Sequence, residues 1–156
     1  MALFNKIKLS KVLRRSRVDV KTYKLTMSKV KVNKIMTKKL ITAALNSTVE
    51  EAVKKMIEND VECLPVTDSK GILHGLITFR DIVTKVVYPS AFGWELKVED
   101  IMAKNVTTCN PDSTVLDVVK TMKNKHLRRI PVVNAKNVLV GLVTNFDLAL
   151  FGWDLE

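Results

Sequence analysis

Leu64-Pro65-Val66, a turn, and then Gly75-Leu76-Ile77-Thr78-Phe79-Arg80-Asp81-Ile82 is the stretch that decides the fold. It reads as two apolar strands around the turn Asp68-Ser69-Lys70-Gly71, followed by a helix that opens at Thr78. The same order returns as Ile130-Pro131-Val132 … Gly141-Leu142-Val143-Thr144-Asn145-Phe146-Asp147-Leu148, with Asn134-Ala135-Lys136-Asn137 as the turn. The offset is 66 positions without a gap. Over Val32–Ile82 and Val98–Leu148, 19 of the 51 aligned positions are identical. A duplication of this length points to one supersecondary unit paired with its copy.

Outward from the hairpins, the other elements of the unit follow. Short extended pieces are expected at Leu40–Ala43 and Val106–Cys109. Thr48-Val49-Glu50-Glu51 and Thr114-Val115-Leu116-Asp117 each place a hydroxyl at an N-cap and an acid three residues on, the pattern of a capping box. Val49, Ala52, Val53, Met56 and Ile57 continue with helical spacing, as do Val115, Val118, Val119 and Met122. Strands are expected at Val61–Val66 and Ile72–Ile77, and in the copy at Leu127–Val133 and Val138–Val143. Pro65 and Pro131 belong at a strand edge or end, because proline removes a ladder donor. The expected fold is therefore α/β of the α+β type: two β-α-β-β-α repeats packed as a pseudo-twofold pair.

Composition narrows the rest. Hydrophobic residues make up 47% and aromatics 6%, so the core is built from Val, Ile, Leu and Met. No run of about 18 apolar residues exists to span a membrane. Cys63 and Cys109 belong to no CxxC or CxxH pattern, which suits a reducing cytoplasm. His74 and His126 have no metal-ligand spacing and read as packing or surface residues. Nine of the ten net positive charges fall on residues 1–31, which hold ten Lys or Arg against the single acid Asp19. The divisions expected are a basic extension at 1–31, a repeat at 32–90, a linker at 91–97 and a second repeat with an aromatic tail at 98–156.

The Thr-x-x-Asp units carry the chemistry. A strand that ends in Thr and opens a helix offers backbone N–H groups and a favourable dipole to a phosphate. An ionised Asp accepts hydrogen bonds only and can take both hydroxyls of a ribose. The same four residues are also a plain capping box that needs no ligand. The residues alone leave both readings open.

The whole motif set, with Ile35-Met36-Thr37 and Ile101-Met102 ahead, resembles the cystathionine-beta-synthase (CBS) domain, and two in tandem resemble a Bateman module. The likeness covers residues 32–150. It implies a stand-alone regulatory module, not an enzyme, that senses AMP, ADP or ATP in clefts between the repeats. By this likeness Asp81 and Asp147 would hold ribose, and Thr78 and Thr144 would meet phosphate. It further implies that Ile41, Val61 and Cys63 line the cleft of Asp147, and that Thr107, Leu127 and Arg129 line that of Asp81. A disc-like homodimer, energy sensing, an unidentified regulated protein and a cytoplasmic setting belong to the same expectation. No cofactor is required; S-adenosylmethionine is the alternative ligand.

Charge sets the clefts apart. Arg128 and Arg129 precede Ile130-Pro131, where Glu62 and Cys63 precede Leu64-Pro65. Arginine attracts phosphate. The Asp81 cleft is thus expected to bind polyphosphates more tightly, and Glu62 to suit the other to the cationic S-adenosylmethionine.

Two segments lie outside the repeat. Phe92-Gly93-Trp94-Glu95-Leu96 echoes Phe151-Gly152-Trp153-Asp154-Leu155, as an aromatic plug or a dimer contact. Leu3, Phe4, Ile7, Val12 and Leu13 interleave with basic residues, and Val18–Val32 alternates like a strand, with Tyr23, Leu25 and Met27 on one side. This arm reads as a solubilising or subunit-embracing extension, a salt-dependent nucleic-acid contact, or a membrane-surface or organellar targeting segment. An absence of Ser/His/Asp, Cys/His, Walker and GxGxxG patterns argues against catalysis.

Overall fold

The computed structural model describes residues 19–89 and 95–153, without the side chain of Trp153. The first 18 residues of the basic arm and the aromatics Phe92 and Trp94 lie outside the described residues.

The chain enters through helix α1, Val20–Lys29. This corrects the strand expected over Val18–Val32. Asp19 caps the helix by accepting from Lys21 N at 2.7 Å and Thr22 N at 3.0 Å. Met27 is buried, whereas Leu25, which strand alternation placed beside it, is 53% exposed. Val20, Tyr23, Met27 and Val30 also fit a helical period, and the Asp19 cap favours it over the alternation. A 3-10 turn at Val32–Lys34 leads into the first repeat.

That repeat runs β1 Ala43–Ala44, α2 Val49–Glu58, β2 Cys63–Thr67, β3 Leu73–Thr78 and α3 Phe79–Ile82, which widens into a π-turn at Val83–Val87. A short helix α4, Val98–Ile101, and strand β4, Ala103–Lys104, lead into the second repeat. It continues with α5 Val115–Lys125, β5 Arg129–Val133, β6 Leu139–Thr144 and α6 Asn145–Trp153. The β-α-β-β-α order is therefore present twice. In the second copy the first strand contracts to a parallel bridge between Cys109 and Val132. Thr48 and Glu51 form the full capping box. Thr114 caps α5, but its hydroxyl donates to Asp117 at 2.7 Å.

β2 and β3 pair in antiparallel register, Leu64 opposite Ile77, and β5 and β6 match them with Ile130 opposite Val143. β1 joins β2 in parallel only from Val66 onward. In the second copy the parallel contact begins with Cys109 N donating to the Pro131 carbonyl at 3.1 Å. Each proline thus stands where its parallel partner starts, and no ladder bond is lost.

The two copies exchange their lead-in segments. Val98, Ile101 and Met102, which precede the second repeat, are buried in the core of the first with Val49, Leu64, Val66 and Ile77. Val32, with Ile35 and Met36 against it, completes the core of the second beside Val118, Ile130 and Val143. β4 pairs with β3, Ala103 opposite Leu76, and Thr37 bridges to Leu142 in the equivalent place. The motif glycines permit this approach: a Cβ on Gly75 would lie 2.6 Å from both the Ala103 carbonyl and Met102 Sδ, and one on Gly141 would collide with Met36. The hairpin tips close the twofold, with Leu73 N donating to the Asn137 carbonyl and Leu139 N to that of Gly71.

Candidate functional site

Each repeat ends its last strand on a threonine that caps the next helix, so both candidate carboxylates sit one turn into a helix beside the seam between the repeats. At α6, Asp147 Oδ2 accepts from Thr144 N at 2.6 Å and from the Thr144 hydroxyl at 2.7 Å. At α3, Asp81 Oδ2 accepts from Thr78 N at 3.0 Å and from the Thr78 hydroxyl at 2.6 Å. The capping box is therefore built in both copies. Phe79 N donates to the Glu62 carbonyl and Asn145 N to that of Arg128, each at 2.9 Å. Phe79 N, Asn145 N and both threonine hydroxyls thus have partners within the chain.

The remaining carboxylate oxygens differ. Asp147 Oδ1 accepts from the Thr37 hydroxyl at 3.3 Å, and it faces a cleft of about 540 Å³. Val61, Cys63, Leu142 and Thr144 line that cleft, and Glu62 and Arg129 stand at its edge. Val61, Cys63, Thr144 and Asp147 thus come together as expected. Ile41 does not reach the wall; it packs on the core of the first repeat. Burial pushes the Cys63 thiol up, against the opposing pull of Arg129.

Asp81 Oδ1 is held by Lys85 Nζ at 3.0 Å, and the same ammonium donates to the Ile101 carbonyl. The neighbouring cleft, about 410 Å³, is lined by Leu76, Thr78, Leu127, Arg128 and Arg129, but not by Asp81. Thr107 is off this wall as well, where its hydroxyl accepts from Lys125 at 3.1 Å.

Arg129 does not belong to one cleft and Glu62 to the other, as the sequence suggested. The two side chains form an ion pair across the seam, and both line both clefts. Sequence reasoning also missed Thr37 and Lys85 as partners of the carboxylates. The repeat register offers the signal: Thr37 aligns with Ala103 and Lys85 with Phe151, so each polar group exists in one copy only.

His74 pairs with Asp68 at 3.2 Å, and His126 ends α5 in the left-handed conformation. Among the described residues no group of three or more His, Cys, Asp or Glu is placed to hold a metal ion. No helix among them is long and apolar enough to cross a membrane.

Two copies of one small α+β unit, joined along a twofold seam with an acid-capped helix at each cleft, define a tandem-repeat module. The CBS domain family model matches residues 32–88 and 98–152, and the chain belongs to that family. An uncharacterized protein of Methanocaldococcus jannaschii is 33% identical over 76% of this chain and 43% of its own length. One of Methanopyrus kandleri is 34% identical over 78% of this chain and 62% of its own. This chain thus spans about half of those relatives. The crystal structure of the CBS domain pair of protein MJ0100, in complex with 5′-methylthioadenosine and S-adenosyl-L-methionine, has the same fold. It matches with a TM-score of 0.71 at 33% identity, over 80% of this chain and 98% of that one.

Proposed function

We propose that this chain is a regulatory module that takes an adenosine nucleotide in the Asp147 cleft. The observation that carries the reading is the division of labour within one carboxylate. The helix cap fixes Asp147 Oδ2, while among the described residues Oδ1 meets only a neutral hydroxyl at 3.3 Å, and Asp147 lines the cleft. A ribose hydroxyl is a neutral donor that such an oxygen accepts from in a charge-assisted hydrogen bond. Val61, Cys63 and Leu142 supply an apolar wall for a base. Arg129 at the edge supplies charge for the phosphate of AMP, ADP or ATP. The adenosine compounds held by the related MJ0100 pair support the ligand class.

A second reading, S-adenosylmethionine, is favoured by Glu62 on the same wall and by that relative's own ligand. In either case the ligand biases the placement of the repeats by its differential affinity for two arrangements, and a partner protein, with a second copy of this chain as homodimer, reads the difference. Thermal shift with AMP, ADP, ATP and S-adenosylmethionine tests the reading. Stabilisation that disappears in Asp147→Ala is expected. No shift with any of the four at millimolar concentration overturns it.

A further inference from the structure

We propose that Lys85 closes the Asp81 cleft to diols, so that each chain takes one adenosine ligand, at Asp147; the assignment rests on the adenosine reading above. Both carboxylates spend Oδ2 on the helix cap, which leaves Oδ1 as the atom a diol must reach. At Asp147 a ligand displaces one neutral hydroxyl, which rotates away freely and is itself exposed. At Asp81 it must displace an ammonium at 3.0 Å.

That ammonium is held from two sides. It bonds Asp81 within the helix and the Ile101 carbonyl from the lead-in of the second repeat. Charge-assisted hydrogen bonds are roughly twice as strong as neutral ones. The Asp81 side chain keeps only 18% of its exposure and is absent from the cleft wall, so the oxygen a diol must reach is held by Lys85 and set back from the cleft.

The backbone supports this placement. Lys85 lies in the π-turn Val83–Val87, closed by Tyr88 N donating to the Val83 carbonyl at 2.8 Å. The turn is peculiar to the first copy, and so is the cation: the aligned position in α6 is Phe151, within regular helix. The hydroxyl partner is reversed in the same way, Thr37 serving Asp147 where Ala103 stands beside Leu76. The asymmetry is therefore in the residues around the aspartates, not in the aspartates themselves.

Isothermal titration of the full chain with AMP, and in parallel with 5′-methylthioadenosine, decides the matter. The wild-type protein is expected to show one event per chain, lost in Asp147→Ala, with any second event about fivefold weaker. Lys85→Met is expected to add a second event, and Lys85→Met with Asp81→Ala to remove it again. Lys85→Gln, which keeps the polar stem without the charge, gives the same gain should the methionine variant not fold. Two equal events in the wild-type chain, or one event persisting in both Lys85 variants, overturns the assignment and leaves the adenosine reading standing. No heat from either compound overturns both.

Discussion

Arg129 of the second repeat and Glu62 of the first form an ion pair on the seam, and each lines both clefts. A phosphate in the Asp147 cleft competes with Glu62 for the Arg129 guanidinium, whereas the other cleft also has Arg80 and Arg128 on its wall. The pair is unevenly wet, with Arg129 22% and Glu62 78% exposed. Such a pair contributes at most about 1 kcal/mol, so its removal shifts affinity by about fivefold or less.

The first prediction follows directly. Glu62→Gln is expected to tighten AMP by a few-fold, within that bound, and to leave 5′-methylthioadenosine almost unchanged, because only the phosphate uses the freed arginine. Arg129→Ala is expected to weaken AMP in preference to the phosphate-free ligand. Titration of both variants with both compounds checks the pattern; equal changes for the two ligands would remove Arg129 from the phosphate site.

The motif glycines are predicted to differ in their tolerance of a methyl group. At Gly75 the added carbon meets the Ala103 backbone carbonyl at 2.6 Å, which cannot move without shifting β4. At Gly141 it meets only the flexible side chain of Met36. Gly75→Ala is expected to destabilise by about 1–3 kcal/mol and Gly141→Ala by less. Urea unfolding of the two variants measures the difference.

The helical reading of the arm is equally checkable. Met27 is 6% exposed and α1 packs against α5, so Met27→Ala is expected to lose about 2 kcal/mol or more. Leu25→Ala, at a side chain 53% exposed, is expected to stay within about 0.5 kcal/mol. A strand with both residues on one face would lose stability at both positions.

The thiols give a pH dependence. Burial pushes Cys109 up to about 11, from an ordinary value of 9.0. The folded chain keeps a proton there that the unfolded chain releases, so this contribution to stability is intact below pH 9.0 and lost as the pH rises towards about 11. At pH 8 only ~0.1% of the native thiol is thiolate, and alkylation of Cys109 by iodoacetamide is expected to be slow, rising about tenfold per pH unit. Rapid native-state labelling at pH 8 would contradict the half-buried placement.

Much of the architecture was legible in the sequence because it rests on local chemistry. Thr48, Thr78, Thr114 and Thr144 are caps by residue type and spacing, and the turns before Gly71 and Asn137 follow from Asp68 and Asn134. The pairing of Val61 and Cys63 with Asp147 followed from the family likeness. Contacts across the seam were not legible. Glu62 and Arg129 are 67 positions apart, and nothing local says that they meet. Lys85 lies beyond the aligned block, although its spacing from Asp81 is the ordinary i,i+4 of a helical ion pair. In α1 the alternation of Tyr23, Leu25 and Met27 matched a strand as readily as the 3–4 spacing matched a helix, and Asp19 decided between them.

The swapped lead-ins carry a consequence for ancestry. Two separate single-unit chains could trade the same segments and bury the same residues, Val32 in one and Val98 in the other. Fusing them head to tail turns an encounter between molecules into an encounter within one, and stability no longer depends on how dilute the protein is. Once tethered, the halves are free to diverge, and a lysine in one with a phenylalanine opposite is what such divergence leaves behind.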